Sequence, residues 1–381
     1  CAPVYRVYTA TTPVDPTVVG ARRPGLGAAG CGNPSSEHPY GRRAAQAVAA
    51  AREQVAGLIG APTEALYFTG CATEANNLAL GGVARARRER GRHLIISAVE
   101  HPSVVGPAER LRADGWAVTV LPVDEYGRVD PQALAAELRP DTVLVSVMLA
   151  NNEVGTLQPI AELSALTRPR GILLHTDAAQ AVGKIPVKVE ELGVDLLTLA
   201  GHKFYAPKGV GALYVRPGTP IEPLLVGGGQ EGGLRPGTEN VPHIVALGAA
   251  ARLSAPGLDA ESRRIQRLRD RLYASLCACV PGLELNGHPE QRLPGTLHVA
   301  FPGVDGRALL AAAADAVAAS VGSACHEDSD AVSGVLAAMG RDAARARGAV
   351  RLSLGRFSTE AEIERAAAAL CRAYRALVAG D

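Results

Sequence analysis

The chain has 381 residues, longer than one hydrophobic core usually serves, so two domains are expected. With 39 Lys plus Arg against 38 Asp plus Glu and 47% hydrophobic residues, it is neither a disordered tail nor a dedicated nucleic-acid or membrane-surface binder. Only four residues are lysine (Lys184, Lys188, Lys203 and Lys208) against 35 arginines, so any lysine chemistry has few candidates.

From about Pro62, short apolar runs alternate with longer amphipathic ones. Strands are predicted at 66–69, 93–97, 117–121, 142–147, 172–175, 196–199 and 211–215, with helices at 75–90, 131–138 and 160–166. That alternation predicts an α/β domain with a mostly parallel seven-stranded sheet, whose ligands sit beyond the carboxyl ends of the strands. Five polar loops follow predicted strands and converge on one cleft: Gly70-Cys-Ala-Thr-Glu-Ala-Asn-Asn, Glu100-His-Pro-Ser, Asn151-Asn-Glu-Val-Gly, Thr176-Asp-Ala-Ala-Gln and Gly201-His-Lys-Phe-Tyr. After about Ala246 come a long Arg-rich helix (260–279), strands at 296–301, 316–322 and 349–354, and helices at 306–313, 331–339 and 359–378. The expected division is a large α/β domain at 14–246 and a smaller α+β domain formed by 1–13 and 247–381.

The opening Cys-Ala-Pro-Val-Tyr-Arg has no secretory leader pattern, and no Ala-rich stretch is an unbroken apolar run. A cytoplasmic location is expected. The seven Cys (1, 31, 71, 277, 279, 325 and 371) fit reduced thiols better than a disulfide framework. Cys277 and Cys279, two apart on a helical pattern, point away from each other.

Lys203 is the first candidate for chemistry. It follows an apolar strand and stands beside His202, whereas Lys184 and Lys188 read as an exposed connection and Lys208 as a Pro-Lys-Gly turn. A Schiff-base lysine must be desolvated or near other cations to act at neutral pH. Asp177 ends an apolar run, where a carboxylate either pairs with a pyridinium nitrogen or caps the next turn. Gln180 is a neutral donor three residues on. Ala72 and Thr73 open a helix, which suits a phosphate, although Thr there is also an ordinary cap. Cys325 ends an apolar strand and opens the polar run Cys-His-Glu-Asp, as an accessible nucleophile would. No metal is expected, since four consecutive side chains cannot all face one ion. The Gly-rich run 227–233 reads as a flexible loop at a subunit boundary, and the Arg-dense runs 85–92 and 341–351 as solvated helix faces without interleaved aromatics.

Motifs along nearly the whole chain resemble the cysteine desulfurase family. They are Asn33-Pro-Ser-Ser-Glu-His, Ala72-Thr-Glu-Ala-Asn-Asn, Glu100-His-Pro-Ser, Asn151-Asn-Glu-Val-Gly-Thr, Asp177-Ala-Ala-Gln, Gly201-His-Lys-Phe-Tyr-Ala-Pro-Lys-Gly, Arg235-Pro-Gly-Thr-Glu-Asn, Gly322-Ser-Ala-Cys and Val350-Arg-Leu-Ser-Leu-Gly-Arg. The resemblance implies a fold type I pyridoxal 5'-phosphate enzyme of the class V aminotransferase branch, a homodimer that converts L-cysteine to L-alanine. It implies Lys203 as the Schiff-base lysine, His101 stacked on the ring, Asp177 at its nitrogen and Gln180 at its phenolic oxygen. Thr73 and His202 would hold the phosphate together with the turn at Ala72, and Thr238 would reach the other subunit's cofactor. Arg351 and Asn152, with Asn33 nearby, would bind the substrate carboxylate, and Cys325 would take the sulfur as a persulfide for an acceptor protein. Relatives serve iron–sulfur assembly, tRNA thiolation or DNA phosphorothioation, and the Cys325 and Gly-rich loops resemble the last group. A selenocysteine lyase and an inactive sulfur-relay or scaffold protein are the competing readings; plain transamination would leave Cys325 without a role. Two departures from the family stand out: Ala200 where a phosphate-binding Ser is common, and Arg6-Val-Tyr-Thr where an acidic lead is common.

Overall fold

A computed structural model describes residues 3–27, 30–322 and 333–379. The chain opens with the short strand β1 (Val4–Tyr5) and enters α1 (Pro16–Arg22), which Asp15 caps by accepting from the Thr17 amide at 2.8 Å. Next comes α2 (Pro39–Ile59), absent from the sequence expectation. It has Pro in its first turn, buries Ala44, Val48, Ala51, Val55 and Leu58 on one face, and stops at Gly60 with φ +65°.

Seven strands form the main sheet: β2 (Leu66–Thr69), β3 (His93–Ser97), β4 (Ala117–Leu121), β5 (Thr142–Ser146), β6 (Leu173–Asp177), β7 (Leu196–Ala200) and β8 (Gly211–Val215). Their order is β2-β8-β7-β6-β5-β3-β4. Every neighbouring pair is parallel except those made by β8, which runs antiparallel to both β2 and β7. Successive residues face opposite sides: Leu94 and Ile96 join the core under α3 (Ala72–Arg87) and α4 (Pro102–Ala113), while Ile95 joins the core under α2. Both faces are therefore covered, and the strand sequences read as apolar runs rather than alternating ones.

The helices α5 (Pro131–Glu137), α6 (Ile160–Thr167), α7 (Val189–Leu192) and α8 (Val241–Ser254) complete this part. Leu247 and Ala249–Ala251 of α8 pack into the same core as α2, so that core extends past residue 246.

A second core gathers around α9 (Leu258–Cys279), which buries Ile265, Leu268, Leu272 and Leu276 on one stripe. Here β9 (Glu284–Asn286), β10 (Thr296–Ala300) and, after α10 (Gly306–Ala312), the two-residue β11 (Val317–Ala318) are followed by α11 (Gly334–Ala338) and α12 (Ala343–Arg347). The chain then forms β12 (Ala349–Ser353) and α13 (Glu360–Ala379). The antiparallel order is β12-β10-β9, and β1 returns from the N-terminus to pair in parallel with β11.

Three expectations change. Cys279 and Cys371 are joined in a disulfide between α9 and α13, with Cα atoms 6.0 Å apart, so these two are not reduced thiols. The divergence of Cys277 from Cys279 holds, because Cys277 is exposed and free. The Gly-rich run is tied down at one point: buried Glu231 takes two bonds from Arg52, at 2.7 and 2.5 Å, and one from the Phe68 amide at 2.8 Å. The second Arg-dense run is not wholly a solvated face either, since Arg351 is 2% exposed.

Candidate active site

A cavity of about 260 Å³ opens beyond the carboxyl ends of β6 and β7. Ala72, Thr73, His101, Asn152, Asp177, Gln180, His202, Lys203 and Arg351 all line it, as do Ala200, Ser103 and Met148. Nine of the residues singled out in the sequence thus meet in one place. Asn33 is exposed, accepts locally from the Ser35 amide at 2.9 Å, and does not reach the cavity within this chain. Thr238 is likewise exposed and elsewhere. Cys325 lies outside the described residues.

Asp177 sits at the end of β6, 6% exposed. Its Oδ1 accepts from the Ala179 amide at 2.9 Å, so the local cap exists. Its Oδ2 accepts from Asn76 Nδ2 at 2.8 Å, and that bond has no capping role. Asn76 was not read from the sequence. It is fully buried on α3, and its Nδ2 also donates to Ser103 Oγ at 2.8 Å. The only hint was its place four residues after Ala72, on the face that turns inward.

That pair of bonds fixes the state of His101. The carboxylate of Asp177 can only accept, so Asn76 presents its NH2 group, and Ser103 Oγ accepts a hydrogen bond from it. The Ser103 hydroxyl then donates to His101 Nδ1 at 2.8 Å, and the Ser103 amide donates to the same nitrogen at 3.1 Å. With Nδ1 an acceptor, the ring proton of neutral His101 lies on Nε2. One network therefore orients the ring and the carboxylate together.

Behind it, Glu100 is buried and takes bonds from Ser97 Oγ and from the Met148 amide at 2.9 Å. Burial above all raises its carboxyl to about 8.

Lys203 follows β7 in a tight turn, its Nζ donating to Thr9 O at 2.7 Å and Ala10 O at 2.8 Å. The N-terminal segment is thus a wall of the site, and it acts through backbone carbonyls. The substitutions Arg6-Val-Tyr-Thr noted above do not remove those groups. Nearby, burial first and then Lys203, Lys208 and Lys184 push His202 down to about 4, so its ring is neutral. His202 Nδ1 lies 3.2 Å from Thr11 Oγ1. Lys184 is not in an exposed connection: its Nζ donates to Gln180 Oε1 at 2.7 Å.

The N-terminus of α3 points its amides at the cavity beside Cys71, Thr73 and His202. Gly211 permits this approach, because a Cβ there would stand 3.0 Å from the Cys71 carbonyl carbon and 3.2 Å from the Ala72 nitrogen. Opposite, Arg351 donates to Asn152 O at 2.8 Å and to Ser320 Oγ at 3.0 Å. Among the described residues, no cluster of His, Cys, Asp and Glu could hold a metal ion, and no helix is long and apolar enough to cross a membrane.

This donor set fits pyridoxal phosphate. It offers a lysine amine, a buried carboxylate for a ring nitrogen, a flat imidazole, amides at a helix start for the phosphate, and a guanidinium for a substrate carboxylate. An α/β fold with that constellation at the strand ends defines a pyridoxal-phosphate enzyme.

Comparison narrows the class. Residues 4–366 match the aminotransferase class-V family. The chain is 44% identical over 363 residues to "Cysteine desulfurase IscS" of Methanosarcina thermophila, covering 95% of this chain and 89% of that one. A solved "NIFS-LIKE PROTEIN" superposes with TM-score 0.91 at 37% identity, covering 97% of this chain and 98% of the other. DndA from Streptomyces lividans superposes with TM-score 0.78 at 39% identity, covering 90% and 97%. The chain belongs to the aminotransferase class-V family, and within it to the cysteine desulfurases, which work with pyridoxal phosphate.

Proposed function

We propose that this cavity removes sulfur from L-cysteine and hands it to Cys325. The observation carrying the reading is the convergence of Lys203, Asp177, His101 and Arg351 on one cavity. Pyridoxal phosphate supplies an electron sink for the pair left at the substrate Cα. Lys203 Nζ would hold the cofactor and would be the base that moves the proton at the substrate Cα. Asp177 Oδ2, fixed by Asn76, would pair with the ring nitrogen, and His101 would stack on the ring. Gln180 faces the phenolic oxygen. Thr73, His202 and the amides at Ala72 hold the phosphate, with no hydroxyl from Ala200 to help. Arg351 and Asn152 would take the substrate carboxylate.

The sulfur step balances without an added oxidant. The Cys325 thiolate bonds to the substrate sulfur, the carbon–sulfur bond breaks, and protons return to the carbon, giving alanine and a Cys325 persulfide. The described residues support the reach. Ser333 Oγ donates to Glu153 Oε2, and Gly322 lies beside the same carboxylate oxygen, so both flanks of 323–332 meet next to Asn152.

The two cores support two domains, but because Leu247 and Ala249–Ala251 of α8 pack into the first core, we draw the boundary after α8 rather than at the expected 14–246 against 1–13 plus 247–381. A homodimer, as the family resemblance implies, would bring the exposed Thr238 to the other subunit's cofactor. The persulfide goes to an acceptor protein, and the likeness to DndA supports DNA phosphorothioation as one destination beside iron–sulfur assembly and tRNA thiolation. The test is Cys325→Ser with L-cysteine: the cofactor's visible band should remain while alanine turnover is lost. Turnover at the wild-type rate would remove Cys325 from the reaction.

A further inference from the structure

We propose that Lys184 is a positioning residue that locks the amide of Gln180 so that its NH2 group, and not its oxygen, faces the cofactor's phenolic oxygen. The inference rests on Gln180 standing at that oxygen and adds a role for a second lysine.

The geometry comes from the turn after β6. Val182 N donates to Ala178 O at 3.0 Å, and Ile185 N donates to Ala181 O at 3.1 Å, so the segment coils for about two turns. Gln180 and Lys184 then stand one turn apart on the same side. Gly183 holds the coil close to the catalytic turn: its φ is +75°, and a Cβ there would lie 2.6 Å from Phe204 Cβ.

Lys184 Nζ donates to Gln180 Oε1 at 2.7 Å, and Gln180 Nε2 donates to Thr9 O at 2.9 Å. Thr9 O is also an acceptor for Lys203 Nζ at 2.7 Å. An ammonium carries three donors and no acceptor, so the amide can turn only its oxygen toward it. The NH2 end is left on the Thr9 side, within the cavity that Lys203 lines. An arginine could perform the same lock, since it too only donates. A neutral side chain could not.

Lys184 also borders a second cavity of about 500 Å³ between the two cores. Tyr8, Tyr205, Glu261, Arg264, Arg267 and Arg356 face it there. Glu261, the carboxylate among them, is bound twice by Arg264, at 2.8 Å each time. On the other side stand Lys203 and Arg351. Burial first, then these two cations, lower the ammonium to about 7.

The experiment is a pH titration of the bound cofactor's visible band in the holoenzyme, on Lys184→Met, Lys184→Arg, Gln180→Leu and the double variant Lys184→Met/Gln180→Leu. A donor to the phenolic oxygen favours its ionised form, so losing it raises the midpoint of that band. Lys184→Met and Gln180→Leu should each raise it by about one pH unit, roughly tenfold in proton affinity. Lys184→Arg should restore the wild-type midpoint, and the double variant should shift no further than Gln180→Leu alone. A Lys184→Met shift that persists in full on the Gln180→Leu background would show a bare charge effect and overturn the proposal. So would an unshifted Lys184→Met beside a shifted Gln180→Leu. An unshifted Gln180→Leu would instead overturn the placement of Gln180 itself. Band intensity at saturating cofactor shows that each variant is folded and loaded, and Lys184→Gln replaces Lys184→Met if the latter does not load.

Discussion

Asn76→Ala tests whether the buried amide holds the site together. In the wild type one NH2 group makes two bonds of 2.8 Å, to the Asp177 carboxylate and to Ser103 Oγ. A hydrogen bond to a charged group contributes about 1.5–3 kcal/mol and one between neutral groups about 0.5–1.5 kcal/mol. Asp177 borders the cavity, so water replaces part of the lost bond in the empty protein but not once a ring nitrogen covers the carboxylate. The net loss in cofactor binding should therefore be about 1.5–3 kcal/mol, roughly ten- to hundredfold in Kd. Titrating the cofactor-free protein with pyridoxal phosphate, followed by visible absorbance, measures it. The same variant releases Ser103 from Asn76, so activity at saturating cofactor should fall as well, through His101. A variant that folds, binds the cofactor with unchanged Kd and turns over normally would refute the role given to Asn76.

Three further outcomes follow from the structure. Lys203→Ala should abolish the cofactor's covalent visible band, and a variant that keeps it would mean that another of the four lysines carries the link. His298 is fully buried and burial, ahead of Arg351, Arg292 and Arg345, lowers it to about 3. The unfolded chain takes up a proton below about pH 6.5 that the folded chain refuses, so His298 costs stability as pH falls from there. His298→Leu should flatten the acid side of the stability curve by about 1.4 kcal/mol per pH unit, read from urea unfolding at several pH values. Glu100, raised to about 8, has the opposite sign: the folded state keeps a proton that the unfolded chain loses above its ordinary carboxylate range, so stability falls as pH rises toward 8. Glu100→Gln should remove that fall in the same assay, and parallel curves for wild type and variant would contradict it.

Much of this site was legible because strands and polar loops leave local marks. Each apolar run ended in a loop, and the loops at Thr73, His101, Asp177 and Lys203 do line one cavity. Lysine scarcity narrowed the Schiff-base candidate to Lys203 by context alone. The misses share a physical cause, contact between residues far apart in sequence. Asn76 reads as one more polar residue in a helix, and nothing local shows that it meets Asp177, 101 residues later. Lys184 looked exposed because Gly-Lys-Ile-Pro resembles a connection, yet the coil after β6 turns it back onto Gln180. Cys279 and Cys371 are 92 residues apart, brought together only when α13 lies along α9. Helix α2, though absent from the expectation, was legible as well, since Ala44, Val48, Ala51, Val55 and Leu58 recur at helical spacing and form its one buried face. Asn33 and Thr238 belong to the family pattern but stay outside the cavity of a single chain, as residues completed by a second subunit would.

The most direct test of the account is a single turnover of the holoenzyme with L-cysteine, followed by alanine analysis and mass spectrometry of the peptides. The account predicts alanine in equal amount to a gain of one sulfur atom, and that sulfur on Cys325. Alanine formed with the added sulfur on Cys31, Cys71 or Cys277, or no alanine at all, would contradict it.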